Sequence, residues 1–473
     1  MPCGRNKHAH ATQSGQIRLG LLFGLALLFG IGFAGGAAFL HWRDRSSLPA
    51  EGERFVTLAL SLAHPPHEAE VDAYFGPSSL DHRADAEAPS LDVLLSRARA
   101  LQADVEAPSA TPSPRRQALA NQLDSFVALL DGLAHPGKQS FADEAREVYG
   151  VQLPATDAAA MQKAAAALDA LLPGPGSLVQ RVEDYQNRFV VPTARRKAVF
   201  ERALAECRTR TLAHWRLPAQ ERLTVEWTDK VDAAWHRYDG NYHSTLQINP
   251  QAVAFIGSAL DVACHEAYPG HHAQFSVMQA DAGAQGLPVE DQVVLLRSPA
   301  SVLREGAANY GVDLAFPLDD RRAFQRDVLF PLAGFNPAEA AKYAEVHRLV
   351  NELSLSVVPI LRDYRDGKLS AGMAAYQLRT QALIPSPQAL LGFVDQYGAY
   401  AVGYTVARDV VRDAVQARAA QFGGDRWQAL RAVLDAPQGG VAGVEAAQTA
   451  GIVYAGRVAW CRSESPARSV SLN

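Results

Sequence analysis

Cysteine is scarce in this chain of 473 residues. Only Cys3, Cys207, Cys264 and Cys461 are present, and no C-x-x-C pair occurs. A thiolate zinc knuckle needs such paired spacing, so that class of metal site is excluded. The few thiols do not settle the redox compartment, and Cys264, beside His265, reads as a small buried core residue. No run or stripe of Lys and Arg is found, and the formal net charge is −5. That balance argues against nucleic acid as a partner. No repeat of fixed period recurs. No cysteine directly follows the single long apolar run, so a bacterial lipoprotein box is missing.

What is present is apolar material: 48% of residues are hydrophobic, enough for a large core and too much for a disordered chain. One stretch, LGLLFGLALLFGIGFAGGAAFL from Leu19 to Leu40, carries no charge. About 20 apolar residues span a bilayer, whereas the apolar part of a signal peptide runs to about 7–15. The stretch therefore reads as a single-pass transmembrane helix. Its small-residue end, AGGAA, leaves signal cleavage and secretion as the other reading. Arg5, Lys7 and Arg18 before it nearly balance Arg43, Arg45 and Arg54 after it. Because the whole body follows this one segment, the expected arrangement is a cytoplasmic tail over 1–18, an anchor over 19–40 and an extracytoplasmic, periplasmic body. Residues 41–90, rich in Pro, His and small residues, read as a linker with partly helical character. Residues 91–473 read as one large helical domain.

Helical patterns dominate that domain. The Ala-rich DAAAMQKAAAALDALL favours helix and stops at Pro173-Gly174-Pro175-Gly176. Thr193 is placed to cap a long helix that ends before Pro218. Asn336-Pro337 signals the start of a run to about Tyr364, and another runs from about Tyr400 to Gln421. One region departs from this pattern. RLTVEWT over Arg222–Thr228 alternates, YHSTLQIN over Tyr242–Asn249 alternates, and Asp239-Gly240-Asn241 lies between them. This predicts a short antiparallel β element, or an ordinary surface hairpin.

Immediately after it comes HEAYPGHHAQ, His265 to Gln274. Val253, Ile256, Leu260 and Cys264 recur at helical spacing, with Asn249-Pro250 as the expected start. His265 and Glu266 thus fall near the end of a largely buried helix. A buried imidazole and carboxylate are costly unless paired or metal-bound. Two histidines four apart on a helix can share a zinc ion, but here the fourth position is Pro269. Proline clashes with the carbonyl four residues back, that of His265, and Gly270 accepts backbone shapes other residues resist. A break is predicted at Pro269-Gly270. Without it, His271 would point to the wrong face and His272 would sit about 10 Å along the axis. The break folds a second histidine back toward His265: His271 in one reading, His272 in the other, with the remaining ring contacting substrate. A third ligand is sought on another helix. In SPASVLREGAANYGVDLAF, Ser298-Pro299 starts a helix that carries Glu305, and Gly306, Ala307 and Ala308 allow close packing.

HEAYPGHH with the downstream Glu305-Gly306-Ala307-Ala308-Asn309-Tyr310 resembles the bacterial family of unknown function number 885, whose members carry H-E-x-x-P-G-H-H and an E-G-W-A-x-Y-like motif. Ala307 replaces the usual tryptophan. That family resembles helical zinc peptidases with two histidines and a glutamate, such as angiotensin-converting enzyme, thimet oligopeptidase and the Taq-type carboxypeptidases. The resemblance implies a mainly α, metallopeptidase-like domain with a small β element. It implies zinc held by His265, His271 and Glu305, with Glu266 assisting the attack of zinc-bound water on a peptide bond. Asp261, one turn before His265, is a candidate to orient its ring. An oxyanion donor is expected from QYGAYAVGYTVARD: Tyr404 first, then Tyr400, either of which could equally be core aromatics. Tyr242–Asn249 occupies the place of a substrate-binding edge strand, which makes Tyr242 a candidate substrate contact. The expected function is a membrane-anchored zinc hydrolase acting on peptides. A hydrolase of non-peptide amides and an inactive binding protein on the same fold are the alternatives. Manganese or cobalt would suit the same ligands.

Overall fold

The computed structural model describes residues 49–107, 113–155, 157–231, 233–282 and 286–435. The expected anchor over 19–40 and tail over 1–18 lie outside the described residues. Among the described residues, no helix is long and apolar enough to cross a membrane.

The fold is mainly helical with two small sheets. Several helix starts follow their local chemistry. The Ser298 hydroxyl accepts the Ser301 amide at 3.1 Å, and Pro299 occupies the first turn of the helix Pro299–Ala315. Asp157 caps the Ala-rich helix Ala158–Leu171 in the same way. Thr193 instead lies inside its helix, Thr193–Leu212, and Pro192 holds the cap position with no side-chain bond. The long run expected after Asn336 is interrupted. Ala340–Leu353 and Val357–Arg365 are separate helices, because the Ser354 and Ser356 hydroxyls each bond a carbonyl three residues back at 2.7 Å. The run from Tyr400 is also divided, into Val402–Thr405 and Ala407–Ala419.

Residues 49–90 are not a linker but part of the folded body. The helix Pro49–Leu60 buries Phe55, Val56, Ala59 and Leu60. Strand β1, Val71–Tyr74, pairs antiparallel with β5, Val293–Leu295. Glu70 and Arg297 then form a two-pronged ion pair beside that ribbon. Sequence reading placed a linker here because Pro and His punctuate it, but the apolar residues between them have a core to join.

The second sheet holds three strands in the order β2–β4–β3: β2 is Arg222–Trp227, β3 Ala234–Gly240 and β4 His243–Ile248. The antiparallel element exists, but it is the hairpin β3–β4. The two alternating runs predicted to pair, β2 and β4, do so in parallel, with Arg222 opposite His243 and Trp227 opposite Ile248. The intervening β3 supplies the connection that a parallel pair requires. β4 is therefore central, and both of its edges are occupied.

Buried side chains form two large clusters. One holds Phe55, Phe126, Tyr149, Leu361 and Tyr400; the other holds Phe189, Leu246, Leu260, Phe330 and Tyr343. The helix Pro299–Ala315 bridges them, with Val302 in the first and Ala307 and Tyr310 in the second. Glu305 falls between. A Cβ on Gly306 would stand 2.4 Å from the Ala407 carbonyl, so glycine is what allows this helix to lie against Ala407–Ala419.

Cys264 is more than a core thiol: it is disulfide-bonded to Cys207. The bond ties the helix Thr193–Leu212 to Ile256–Glu266, one residue before His265.

Candidate metal centre

The helix Ile256–Glu266 buries Ile256, Leu260, Ala263 and Cys264, which leaves His265 and Glu266 in its last turn. Val253 was expected on that buried face. It is 41% exposed, because the Asn249 side chain accepts the Gln251 amide at 2.8 Å and turns the chain, so the helix begins only at Ile256.

The break falls where Pro269 and Gly270 predict it, and a new helix runs His271–Asp281. The Gly270 amide donates to the Cys264 carbonyl at 3.0 Å. A Cβ at 270 would stand 1.6 Å from the His265 carbonyl oxygen. Close approach, rather than an unusual backbone angle, is what demands glycine there. Across the gap, Gly311 makes room for the Pro269 ring, which a Cβ would meet at 2.8 Å.

The fold brings together His265, His271 and Glu305, whose ligating atoms all lie within 4.8 Å of one another. His265 Nε2 is 3.3 Å from Glu305 Oε2, and His271 Nε2 is 3.6 Å from Glu305 Oε1. These separations exceed an ordinary N–H···O bond of about 2.7–3.2 Å. They leave the two rings and the carboxylate facing one common point, close enough for all three to reach a single ion. Glu305 Oε2 is buried and makes no well-formed hydrogen bond. The residues therefore fit a divalent ion of zinc type. Burial pushes the Glu305 carboxyl upward, but the His265 and His271 rings outweigh it and hold the group well below the usual carboxylate range. For His265, burial opposes the charged ring, and the carboxylates of Glu305 and Glu266 raise its pKa overall.

Orientation comes from a residue that sequence reading missed. His265 Nδ1 is 3.1 Å from the Asn309 carboxamide oxygen. That contact leaves Nε2 to face Glu305. Asp261, the expected orienting group, is instead paired with Arg321 at 2.6 Å.

His272 does not join the cluster. It is fully buried, with Nδ1 2.8 Å from the Ser244 hydroxyl and Nε2 2.7 Å from Glu221. Tyr268 and Arg208 also donate to Glu221. This group pins the helix His271–Asp281 to β4, so the reading of His272 as ligand or substrate contact is corrected. His236, on β3, was not singled out from the sequence. Its ring stacks on His271 at 5.8 Å, and its Nε2 is buried without a partner. Burial, and then the His271, His272 and His265 rings, hold its pKa well below that of free histidine.

Glu266 and Tyr404 line a cleft of about 240 Å³ with His265 and Asn309. Tyr404 and Tyr400 both point at Glu305 Oε1, at 3.4 and 3.3 Å. Burial, and then the Glu305 charge, push both phenols well above their ordinary pKa, so both stay protonated. Tyr400 is buried and also meets the Ser301 hydroxyl at 3.2 Å. It braces Glu305 and does not line the cleft. Tyr242 sits in the β3–β4 turn with φ 65°, its amide donating to the Tyr238 hydroxyl at 3.0 Å. It is not in the cleft wall. The opposite end of β4, at Ile248, is.

No family model matches the chain, and no curated protein matches it. Among solved structures, it is similar to a putative lipoprotein from Colwellia psychrerythraea, at 15% identity and a TM-score of 0.47 over 78% of this chain and 69% of that one. It is also similar to a putative lipoprotein of unknown function from Shewanella oneidensis, at 14% identity and a TM-score of 0.43 over 87% of this chain and 84% of that one.

Proposed function

We propose that the chain is a zinc-dependent hydrolase acting on peptides, with its body in an oxidising compartment and the 19–40 stretch as its membrane anchor. The observation that carries the reading is the convergence of His265, His271 and Glu305: all three ligating groups lie close enough to share an ion, and Glu305 Oε2 is buried with no well-formed hydrogen bond. Zinc, when bound to such a set, activates water at neutral pH and polarises a carbonyl.

The remaining roles belong to the chain. Glu266 follows the first ligand and faces the cleft, where it takes a proton from the attacking water and passes it to the leaving amine. Tyr404 faces the same cleft as a protonated donor, suited to the oxygen on which charge develops. Tyr400 and Asn309 hold Glu305 and His265 in place. Because β4 is enclosed, an extended substrate cannot pair with Tyr242–Asn249. β3 is an edge strand, and its residue Ala234 and the preceding Ala233 line the cleft, so it is the better strand for that purpose. The disulfide Cys207–Cys264 supports an extracytoplasmic body, since such bonds persist in oxidising compartments.

The test is turnover of a mixed peptide library by the zinc-loaded chain, beside Glu266→Gln. The expected result is cleavage that falls by about 10²–10⁴-fold in the variant. Equal turnover in both would remove Glu266 from the chemistry. No cleavage of any peptide, with cleavage of simple amides, would move the substrate class to non-peptide amides.

A further inference from the structure

The cleft that carries Glu266 runs the length of the helix Ile256–Glu266. His265 and Glu266 stand at one end, and Phe255 and Ala254 at the other. Ten residues at about 1.5 Å each separate Phe255 from His265, roughly 15 Å. Between them the wall is apolar, with Phe200, Trp227, Ile248, Val262 and Leu390 among its residues. At the far end the wall contains one guanidinium, that of Arg196. Its Nε donates to the Val191 carbonyl and one terminal nitrogen to the Pro250 carbonyl, both at 3.0 Å. Val191 is itself held to Ala254 by a backbone bond of 2.8 Å, which fixes Arg196 at the helix start. Among the described residues no carboxylate stands within ion-pair distance of Arg196, and its second terminal nitrogen makes no hydrogen bond. A guanidinium presents five N–H donors in a planar fork suited to a carboxylate. Most arginines bordering this fold's interior are paired with an acid, as Arg115 is with Glu290, Arg297 with Glu70 and Arg321 with Asp261. Arg196 is oriented by carbonyls that leave its charge unanswered, at the end of a greasy channel.

We propose that Arg196 is the seat for the free C-terminal carboxylate of an apolar peptide. The proposal rests on the reading of the centre as a peptide hydrolase. An extended residue spans about 3.3–3.6 Å, so a separation of roughly 15 Å holds about four residues. Substrates are therefore peptides with apolar side chains near a free C-terminus, cut about four residues from it. The apolar wall takes the side chains and Arg196 sets the distance, so the enzyme releases short apolar peptides and does not cut within long chains.

The test uses the full chain in detergent, with Glu266→Gln to prevent turnover. The ligand pair is N-acetyl-Ala-Ala-Leu-Phe-Leu-Phe with a free carboxylate and the same peptide as its C-terminal amide. Dissociation constants are measured by calorimetry. The acid should bind at least about tenfold tighter than the amide, since a charge-assisted bond is lost in the amide. Adding Arg196→Gln should remove that preference, and adding Arg196→Lys should retain part of it. Comparing acid with amide in the same protein cancels any general loosening from the substitution. Equal binding of acid and amide, a preference that survives Arg196→Gln, or binding of neither peptide would overturn the proposal. Turnover of the acid by the unsubstituted chain is measured separately. A preference for the acid without turnover would keep Arg196 as a carboxylate seat and sink the hydrolase reading alone.

Discussion

Asn309 stands four residues after Glu305 on one helix, and its carboxamide oxygen lies 3.1 Å from His265 Nδ1 on another. One helix thus supplies both Glu305 and the group that orients the His265 ring beside it. Loss of such an orienting partner costs about 10–100-fold in metal affinity. Asn309→Leu should weaken zinc binding by that factor in a chelator competition titration, with the helical circular dichroism unchanged. Unaltered affinity would show that packing alone sets the His265 ring.

The disulfide makes a separate prediction. Cys207 and Cys264 are 57 residues apart, and closing a loop of that size stabilises by roughly 4 kcal/mol on the chain-entropy account. The double variant Cys207→Ser, Cys264→Ser should unfold at clearly lower urea. Reduction of the unsubstituted chain should shift it the same way. An unchanged midpoint in both would mean that the helices are held by packing alone.

Glu221 predicts an acid transition. Burial pushes its carboxyl up, but bonds from His272, Tyr268 and Arg208 pull it down to about 2. In the unfolded chain a glutamate titrates near 4.3. The folded state therefore binds fewer protons between these values. The stabilisation is fully present above about pH 4.3 and is lost as pH falls toward 2. Glu221→Gln should melt lower than the parent at pH 6, and the two curves should converge toward pH 2.5. Parallel curves would show that Glu221 does not carry the acid sensitivity.

Much of the centre was legible because it is local. Pro269-Gly270 foretold the break, Ser298-Pro299 the start of the Glu305 helix, and Gly306 its close neighbour. The choice between His271 and His272 was not local. It depends on Ser244 and Glu221, 28 and 51 residues away, which occupy both nitrogens of His272. Asn309 could have been found, since it stands at i+4 from Glu305 on a helix that was foreseen. The pairing of β2 with β4 could not, because Ala234–Gly240 reads AWHRYDG without a clean alternation and hid the third strand. The disulfide also escaped, as two thiols give no sign of their distance in the sequence.

The most direct test is the metal content of the purified chain, measured by mass spectrometry beside Glu305→Gln, His271→Ala and His272→Ala. The account predicts about one zinc per chain, lost in the first two variants and retained in His272→Ala, which is only less stable. No zinc in the parent after purification without chelators and after its addition would contradict the metal centre. Loss in His272→Ala with retention in His271→Ala would assign the second ligand to the wrong ring.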